Sequence, residues 1–311
     1  MKPAPFDYTA PAELSDAVTA LAERPETARV LAGGQSLVLE MHYRRERPAL
    51  LVDINNVREL DTITADGDAL RVGALARHRA FETPTVAPGA LGRLLSRVSP
   101  LIAHPPVRAR GTMAGSLAWA NPVSEWCATA VALDAGIELT GPAGSRLVGA
   151  GEFFLGPFRT ARQPDEILTS VRLPLLPGAE TGTVGVGFCE QHRTHASFAQ
   201  VAVVAVLTLR DGVIVEARLG LAGAADRPVR AHEAERHLVG REPEPDVFAQ
   251  AAALAAAGAD PLSEPHAGVE YRRHVIGVLV RRALVQARED SESADFFSGA
   301  GRDGHDGWEA R

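Results

Sequence analysis

Twice in this chain an apolar or extended stretch breaks abruptly into glycine. "VLAGGQSLV" (Val30 to Val38) does so at Gly33 and Gly34, and "RARGTMAGS" (Arg108 to Ser116) does so at Gly111 and again at Gly115. A turn of this kind is either punctuation between buried elements or a place where main-chain amides come close to a ligand. A diphosphate suits the second reading, because N–H groups can balance its charge without lysines when no side chain holds it away. Gln35, Ser36, Thr112 and Ser116 add hydrogen-bonding groups beside the glycines. Neither turn matches G-x-G-x-x-G or G-x-x-x-x-G-K-[ST], so neither a Rossmann nor a P-loop site is supported. For each turn alone, both readings stay open.

The rest of the chain narrows the classes of function. Its 311 residues, 46% hydrophobic and 23% charged, are ordinary for a globular protein and too many for one small core, so two domains or three lobes are expected. A formal net charge of −7 argues against a general nucleic-acid binder, which needs clustered Lys and Arg. "MKPAPFDYTAPAEL" has no apolar signal core. The longest apolar run, "FAQVAVVAVLTL" (Phe198 to Leu209), is too short to span a bilayer. A cytoplasmic protein without a membrane span is the expectation. Cys127 and Cys189 are the two cysteines, so this chain alone cannot ligate an iron–sulfur cluster or a Cys-rich zinc site. Each reads as a small buried hydrophobe rather than a nucleophile.

Leu14, Val18 and Leu21 at helical spacing predict a helix within "PAELSDAVTALAER" (Pro11 to Arg24). Strands are expected in "ARVLAGG" and in "PALLVDINNVREL" (Pro48 to Leu60), so the first ~60 residues read as a small α+β unit with the first glycine turn at a strand's C-terminal end. "ALRVGALARHRAF" (Ala69 to Phe81) reads as a strand running into a helix-like stretch. A helix from Leu91 to near Ala103 should lead through a Pro-Pro loop to the second turn. Asn121-Pro122 is a turn signal, and "WCATAVALDAG" reads as a buried helix closed by Gly136. "RLVGAGEFFLG" and "EILTSVRLP" look like strands. "TVGVGFCEQ", "SFAQVAVVAVLTL" and "VIVEARLGLAG", the last two joined by an Asp211-Gly212 hairpin, precede helices over Ala251 to Gly258 and Glu270 to Glu289. Strands followed by helices predict a separate antiparallel α+β domain. In the last helix Ile276, Val280, Ala283 and Leu284 line one face, while Arg272, Arg273, Arg281 and Arg282 read as a solvated face or a subunit contact. The tail after Glu289, rich in Gly, Ser and Asp, reads as disordered.

"LAGGQSLV" followed by "RPALLVDINNVREL", and later "RARGTMAGSLAWANPVSEW", together resemble the FAD-binding medium subunit of the molybdenum hydroxylases. That group includes the flavoprotein subunit of aerobic carbon monoxide dehydrogenase and the FAD domain of xanthine dehydrogenase. "MKPAPFDY", "PDEILTSVRLP" and "EYRRHVIGVLVRRAL" look like the same family, so the resemblance reaches nearly the whole chain. It implies an α+β fold with a two-lobed FAD-binding domain (PCMH or vanillyl-alcohol-oxidase-like) over residues 1–176, the lobes being about 1–58 and 59–176. A smaller antiparallel α+β domain over 177–289, like the C-terminal domain of the carbon monoxide dehydrogenase flavoprotein, and a tail over 290–311 complete the expected layout.

By that resemblance Ala32, Gly33, Gly34, Gln35 and Ser36 wrap the FAD pyrophosphate with Leu37 beside them, and Gly111, Thr112, Met113, Ala114, Gly115 and Ser116 contact the same cofactor. The family's usual Thr-Ile-Gly-Gly-Ser is here Thr-Met-Ala-Gly-Ser, and Ala114 is costly only if its φ is positive. Asn121 belongs to the expected set, Glu125 matches a carboxylate that holds ribityl hydroxyls, and Leu168 and Phe188 match contacts to the isoalloxazine ring. Burial in a core accounts for that Leu and Phe equally well. The chain departs from the family at Trp119 and Asn121, where His and Asp are usual, and at Ala196-Ser197, where Gly-Asp is. No catalytic residue is assigned: His104 reads as a loop cap or a base. His192 and His195 have no third ligand, and no metal is expected there.

The family's chemistry is electron transfer, with a molybdenum-cofactor large subunit oxidising the substrate and a [2Fe-2S] small subunit feeding FAD, which gives electrons to an external acceptor. The resemblance implies both partners, in a dimer of heterotrimers. Two other readings stand beside it: a free-standing FAD-dependent oxidoreductase acting directly on a small molecule, and a non-catalytic assembly module that has lost the cofactor.

Overall fold

The computed structural model describes residues 2–176, 182–194 and 196–299, with side chains to 293. The chain opens with a small parallel sheet of β1 (Asp7–Thr9), β2 (Ala28–Leu31) and β3 (Leu50–Asp53), ordered β1-β3-β2. Parallel neighbours need a crossover. Helix α1 (Leu14–Ala22) supplies one and buries Ala17, Val18 and Leu21, the face its spacing predicts. Helix α2 (Leu37–His42) supplies the other, and the first glycine turn lies between β2 and its start.

A five-stranded antiparallel sheet follows. Strands β4 (Ile63–Asp66) and β5 (Ala69–Gly73) form one hairpin, and a set of helices separates them from the next strands. These helices are α3 (Gly89–Val98), α4 (Pro105–Arg108), α5 (Met113–Trp119) and α6 (Glu125–Ala132). Strands β6 (Gly136–Gly141) and β7 (Gly144–Gly149) make the second hairpin, then α7 (Ala150–Phe153) leads to the small pair β8 (Phe154–Gly156) and β9 (Arg159–Thr160). Strand β10 (Ile167–Pro174) inserts between the hairpins, giving β4-β5-β10-β6-β7, and its central position buries residues on both faces.

Several local expectations change here. The α3 helix ends at Val98 and tightens to a single turn over Ser99–Leu101, since Pro100 removes an amide from the ladder. Pro105 and Pro106 open a short helix rather than a loop, because proline is preset for the first turn. The buried helix after Asn121-Pro122 stops through Asp134 (φ 52°), not Gly136, which already begins β6. "RLVGAGEFFLG" is interrupted by α7.

The last sheet is β11 (Thr183–His192), β12 (Ala199–Arg210), β13 (Val213–Ala222) and β14 (Val229–Arg230), antiparallel in that order. The predicted hairpin is present: Arg210 pairs with Val213, and Asp211 (φ 51°) and Gly212 (φ 78°) make the two-residue turn. Helices α8 (His232–Leu238), α9 (Pro245–Ala257) and α10 (Val269–Gly299) cover one face. Alternate residues of β12 divide between two cores: Ala202, Val204 and Val206 join the core of the preceding half, while Val201, Val203, Ala205 and Leu207 pack with the C-terminal helices. Burial on both faces explains the unbroken apolar run.

Two expectations fail in α10. It continues past Glu289 to Gly299, and Asp290 and Ser291 are buried. The Asp290 carboxylate accepts from Arg93 and Arg97 of α3 and from the Val186 amide, so composition alone misread this part of the tail. Residues 300–311 lie outside the described residues. Arg272 is buried rather than solvated: its guanidinium donates to the Gln200 and Ala267 carbonyls and pairs with Glu264. Among the described residues no helix is long and apolar enough to cross a membrane.

Candidate functional site

The two glycine turns meet. A Cβ on Gly33 would lie 2.4 Å from the Arg110 carbonyl oxygen and 2.7 Å from the Gly111 Cα, so only glycine lets these two backbones touch. One residue on, Gly34 takes φ +74°, which swings the chain out of β2 toward α2. No acceptor among the described residues takes the backbone N–H of Gly34, Gln35 or Ser36. Such open amides at a concave wall form an anion cradle.

The second turn is built differently. Thr112 is the N-cap of α5, and its hydroxyl accepts from the Gly115 amide at 3.0 Å. Residues Met113 to Ser116 are therefore the first turn of a helix, and Ala114 has ordinary helical φ, so its extra methyl strains nothing. A Cβ on Gly111 would meet the His78 ring at 2.7 Å. His78 is buried behind this turn; its Nδ1 accepts from Trp126 Nε1 at 2.9 Å, which places its proton on Nε2. Burial, helped by Arg108 and Arg77, lowers its pKa to about 4, so the ring is neutral.

Between the turns lies a cleft of about 1000 Å³, counting its open mouth. Ala32, Gly33, Gly34, Gln35, Ser36 and Leu37 line one side, Gly111, Thr112, Ala114, Gly115 and Ser116 another, and Leu168 of β10 lies on the wall as well. Four polar wall residues have no counterpart in the expected set: Arg29, His78, Arg162 and Glu166. Arg162 bonds the Gln163 and Glu166 carbonyls through Nη1, leaving Nε and Nη2 without an acceptor among the described residues. Burial, then the nearby Arg29 charge, holds its guanidinium below the ordinary value. Arg162, with Arg29 (paired to Glu46) nearby, and a row of open amides suit an anionic ligand. Both arginines sit in unremarkable stretches, "TARVL" and "TARQP", where nothing local marks them.

The other expected residues lie apart from this wall. Met113 is buried in the core. Asn121 accepts from the Val123 amide at 3.2 Å and so shapes the turn after α5. Glu125 is buried at the start of α6, and desolvation raises its carboxyl to about 7. Phe188 is buried on β11, its amide donating to Gln286 Oε1 at 2.7 Å. Two residues along that strand, the Glu190 carboxyl is pushed up to about 8 by burial and by the Glu125 charge, and stands 3.3 Å from His192 Nδ1. Sequence reading missed this acidic pair, since the partners lie on separate halves of the chain. His195 lies outside the described residues. No group of three or more potential ligands among the described residues is placed to hold a metal.

Known proteins share this fold. Residues 4–176 match the FAD binding domain in molybdopterin dehydrogenase, and residues 187–287 match the CO dehydrogenase flavoprotein C-terminal domain. The chain is 36% identical over 288 residues to the carbon monoxide dehydrogenase medium chain of Afipia carboxidovorans, covering 93% of this chain and 98% of that one. It is 35% identical over 300 residues to the 6-hydroxypseudooxynicotine dehydrogenase complex subunit alpha of Paenarthrobacter nicotinovorans, covering 95% of this chain and 100% of that one. In structure it superposes on a chain of carbon monoxide dehydrogenase from Hydrogenophaga pseudoflava with TM-score 0.88 and 31% identity, covering 94% and 100% of the two chains. The cofactor of this fold is FAD, and the cleft's open amides and paired arginines fit its diphosphate. This chain belongs to the FAD-binding medium subunits of the molybdenum hydroxylase family, as a flavoprotein subunit of an oxidoreductase.

Proposed function

We propose that this chain is the flavin subunit of a three-component hydroxylase, working in the cytoplasm as part of a dimer of heterotrimers. It takes electrons from a [2Fe-2S] small subunit and passes them to an external acceptor, while substrate is oxidised on a molybdenum-cofactor large subunit. The observation that carries this reading is the contact of Gly33 with the Arg110–Gly111 backbone, which brings both glycine turns to one cleft. When bound, FAD supplies the electron-transfer chemistry, and the protein binds, orients and tunes it.

In this reading the amides of Gly34, Gln35 and Ser36 hold the diphosphate, with Arg29 and Arg162 balancing its charge. Ala32, Gly33 and Leu37 complete that loop. Gly111, Thr112, Ala114, Gly115 and Ser116 form the opposite wall with Met113 packed in the core behind them, Asn121 and Glu125 take the ribityl side, and Leu168 and Phe188 flank the ring. The division into residues 1–176 and 177–289 is supported by the two family matches, over residues 4–176 and 187–287. The need for partners is supported by the names of the relatives, one a medium chain and one a complex subunit, and by a chain with too few cysteines for an iron–sulfur cluster.

Purification of the tagged chain from its native source tests this. FAD, iron and molybdenum should copurify with two further polypeptides. A flavin-loaded chain without iron or partners, reduced directly by a small molecule, would replace the proposal with a free-standing flavoenzyme.

A further inference from the structure

Two side chains outside both glycine turns connect them. Asn55, just beyond β3, donates from Nδ2 to the Ala32 carbonyl at 2.9 Å and to Asp53 Oδ1 at 2.5 Å. Its Oδ1 accepts from Arg77 Nη2 at 2.6 Å, and Arg77 Nη1 donates to the Arg110 carbonyl at 2.6 Å. Asp53 is held in turn by the Asn55 amide at 2.9 Å and the Tyr8 hydroxyl at 2.7 Å. The amide orientation of Asn55 follows from its neighbours: reversed, it would set NH2 against a guanidinium and an oxygen against two oxygens.

We propose that Asn55 and Arg77 are positioning residues for FAD, forming a hydrogen-bonded strut from Ala32 to Arg110 that sets the separation of the two cofactor loops. This rests on the FAD reading of the cleft. The strut acts on the residues immediately before Gly33 and Gly111, the roots of the loops rather than their tips. Pinning the Ala32 carbonyl also orients the Gly33 amide in the opposite sense, because the peptide unit is planar and trans. The Arg110 carbonyl that receives Arg77 is the same atom that Gly33 approaches, so strut and glycine contact register the loops at one point. Arg77 is fixed at a cost: it is part-buried, and Arg110 and Arg79 repel it while Asp61 and Asp53 attract it.

The test is an FAD titration of the full-length apo-chain, followed by quenching of flavin fluorescence. Arg77→Leu and Asn55→Ala should each raise the FAD Kd about 10- to 100-fold, the scale of losing charge-assisted hydrogen bonds. Because they cut one strut, the double variant should bind no worse than the weaker single variant. Arg77→Lys should recover part of the loss, which a general packing defect would not allow. If Arg77→Leu does not fold, Asn55→Ala and Arg77→Lys decide the matter. Single variants that bind FAD as well as the parent, or losses that simply add, would overturn the strut while leaving the FAD reading intact. A parent chain that takes up no FAD would sink both.

Discussion

In the first glycine turn the backbone passes through a left-handed glycine and leaves its amides open; in the second, Thr112 caps a helix and Ala114 sits in an ordinary helical turn. Glycine thus has two duties here. At Gly34 it supplies a conformation, and at Gly33 and Gly111 it supplies room for another part of the protein. The missing side chains at Gly33 and Gly111 do not open space for the ligand. They let one loop lie against the other, and against His78, so that the ligand cleft has a fixed width.

Gly33→Ala puts this contrast under the greatest load, since its Cβ would sit 2.4 Å from the Arg110 carbonyl. Overpacking of this kind costs about 1–3 kcal/mol, and here it forces the loops apart. The variant should purify largely without flavin and melt lower; full FAD occupancy would show that the loops separate freely. Gly34→Ala tests conformation more than room, its Cβ meeting only the side-chain tips of Val38 and Leu31 at 3.2 and 3.3 Å: at φ +74° an L-residue costs about 1–2 kcal/mol, or roughly tenfold in FAD affinity if the loop relaxes when empty. An unchanged Kd by titration would remove the left-handed turn from the account. Thr112→Ala should be milder, near 1 kcal/mol of stability for a lost cap, read by denaturant midpoint. If it proves as damaging as Gly33→Ala, the second loop is no sturdier than the first.

A separate, pH-dependent effect concerns the buried carboxyls between the halves. Glu125 and Glu190 have folded values raised to about 7 and about 8, above the ordinary carboxylate range. The stability this protonation brings is complete below the unfolded value near 4.5 and is lost as pH rises through 7 and 8. Glu190→Gln should flatten that decline by up to about 1.4 kcal/mol per pH unit, one proton's worth. Parallel melting curves against pH for parent and variant would refute it.

Local pattern carried much of the fold into the sequence. Leu14, Val18 and Leu21 marked α1, and Asp211-Gly212 marked its hairpin, because periodicity and turn chemistry act over a few residues. Resemblance assembled the glycine-loop residues that line the cleft. What stayed hidden depends on distant partners. Arg29, Arg162, Asn55 and Arg77 gain their roles from carbonyls and loops brought near by folding. The same holds for Gly185 and Gly187, whose Cβ atoms would lie 1.8 and 2.1 Å from the carbonyls of Ala287 and Ala283. They allow α10 to lie flush on β11, a close approach that an alternating strand pattern does not announce.

Asp290 has a practical consequence for anyone trimming this protein. A chain cut after Glu289, where composition suggests the ordered part ends, would leave two guanidiniums on α3 facing each other without their shared counter-ion, and the Val186 amide without its acceptor. The flavin half and the C-terminal sheet would then lose the rivet that ties α3 to β11 and α10.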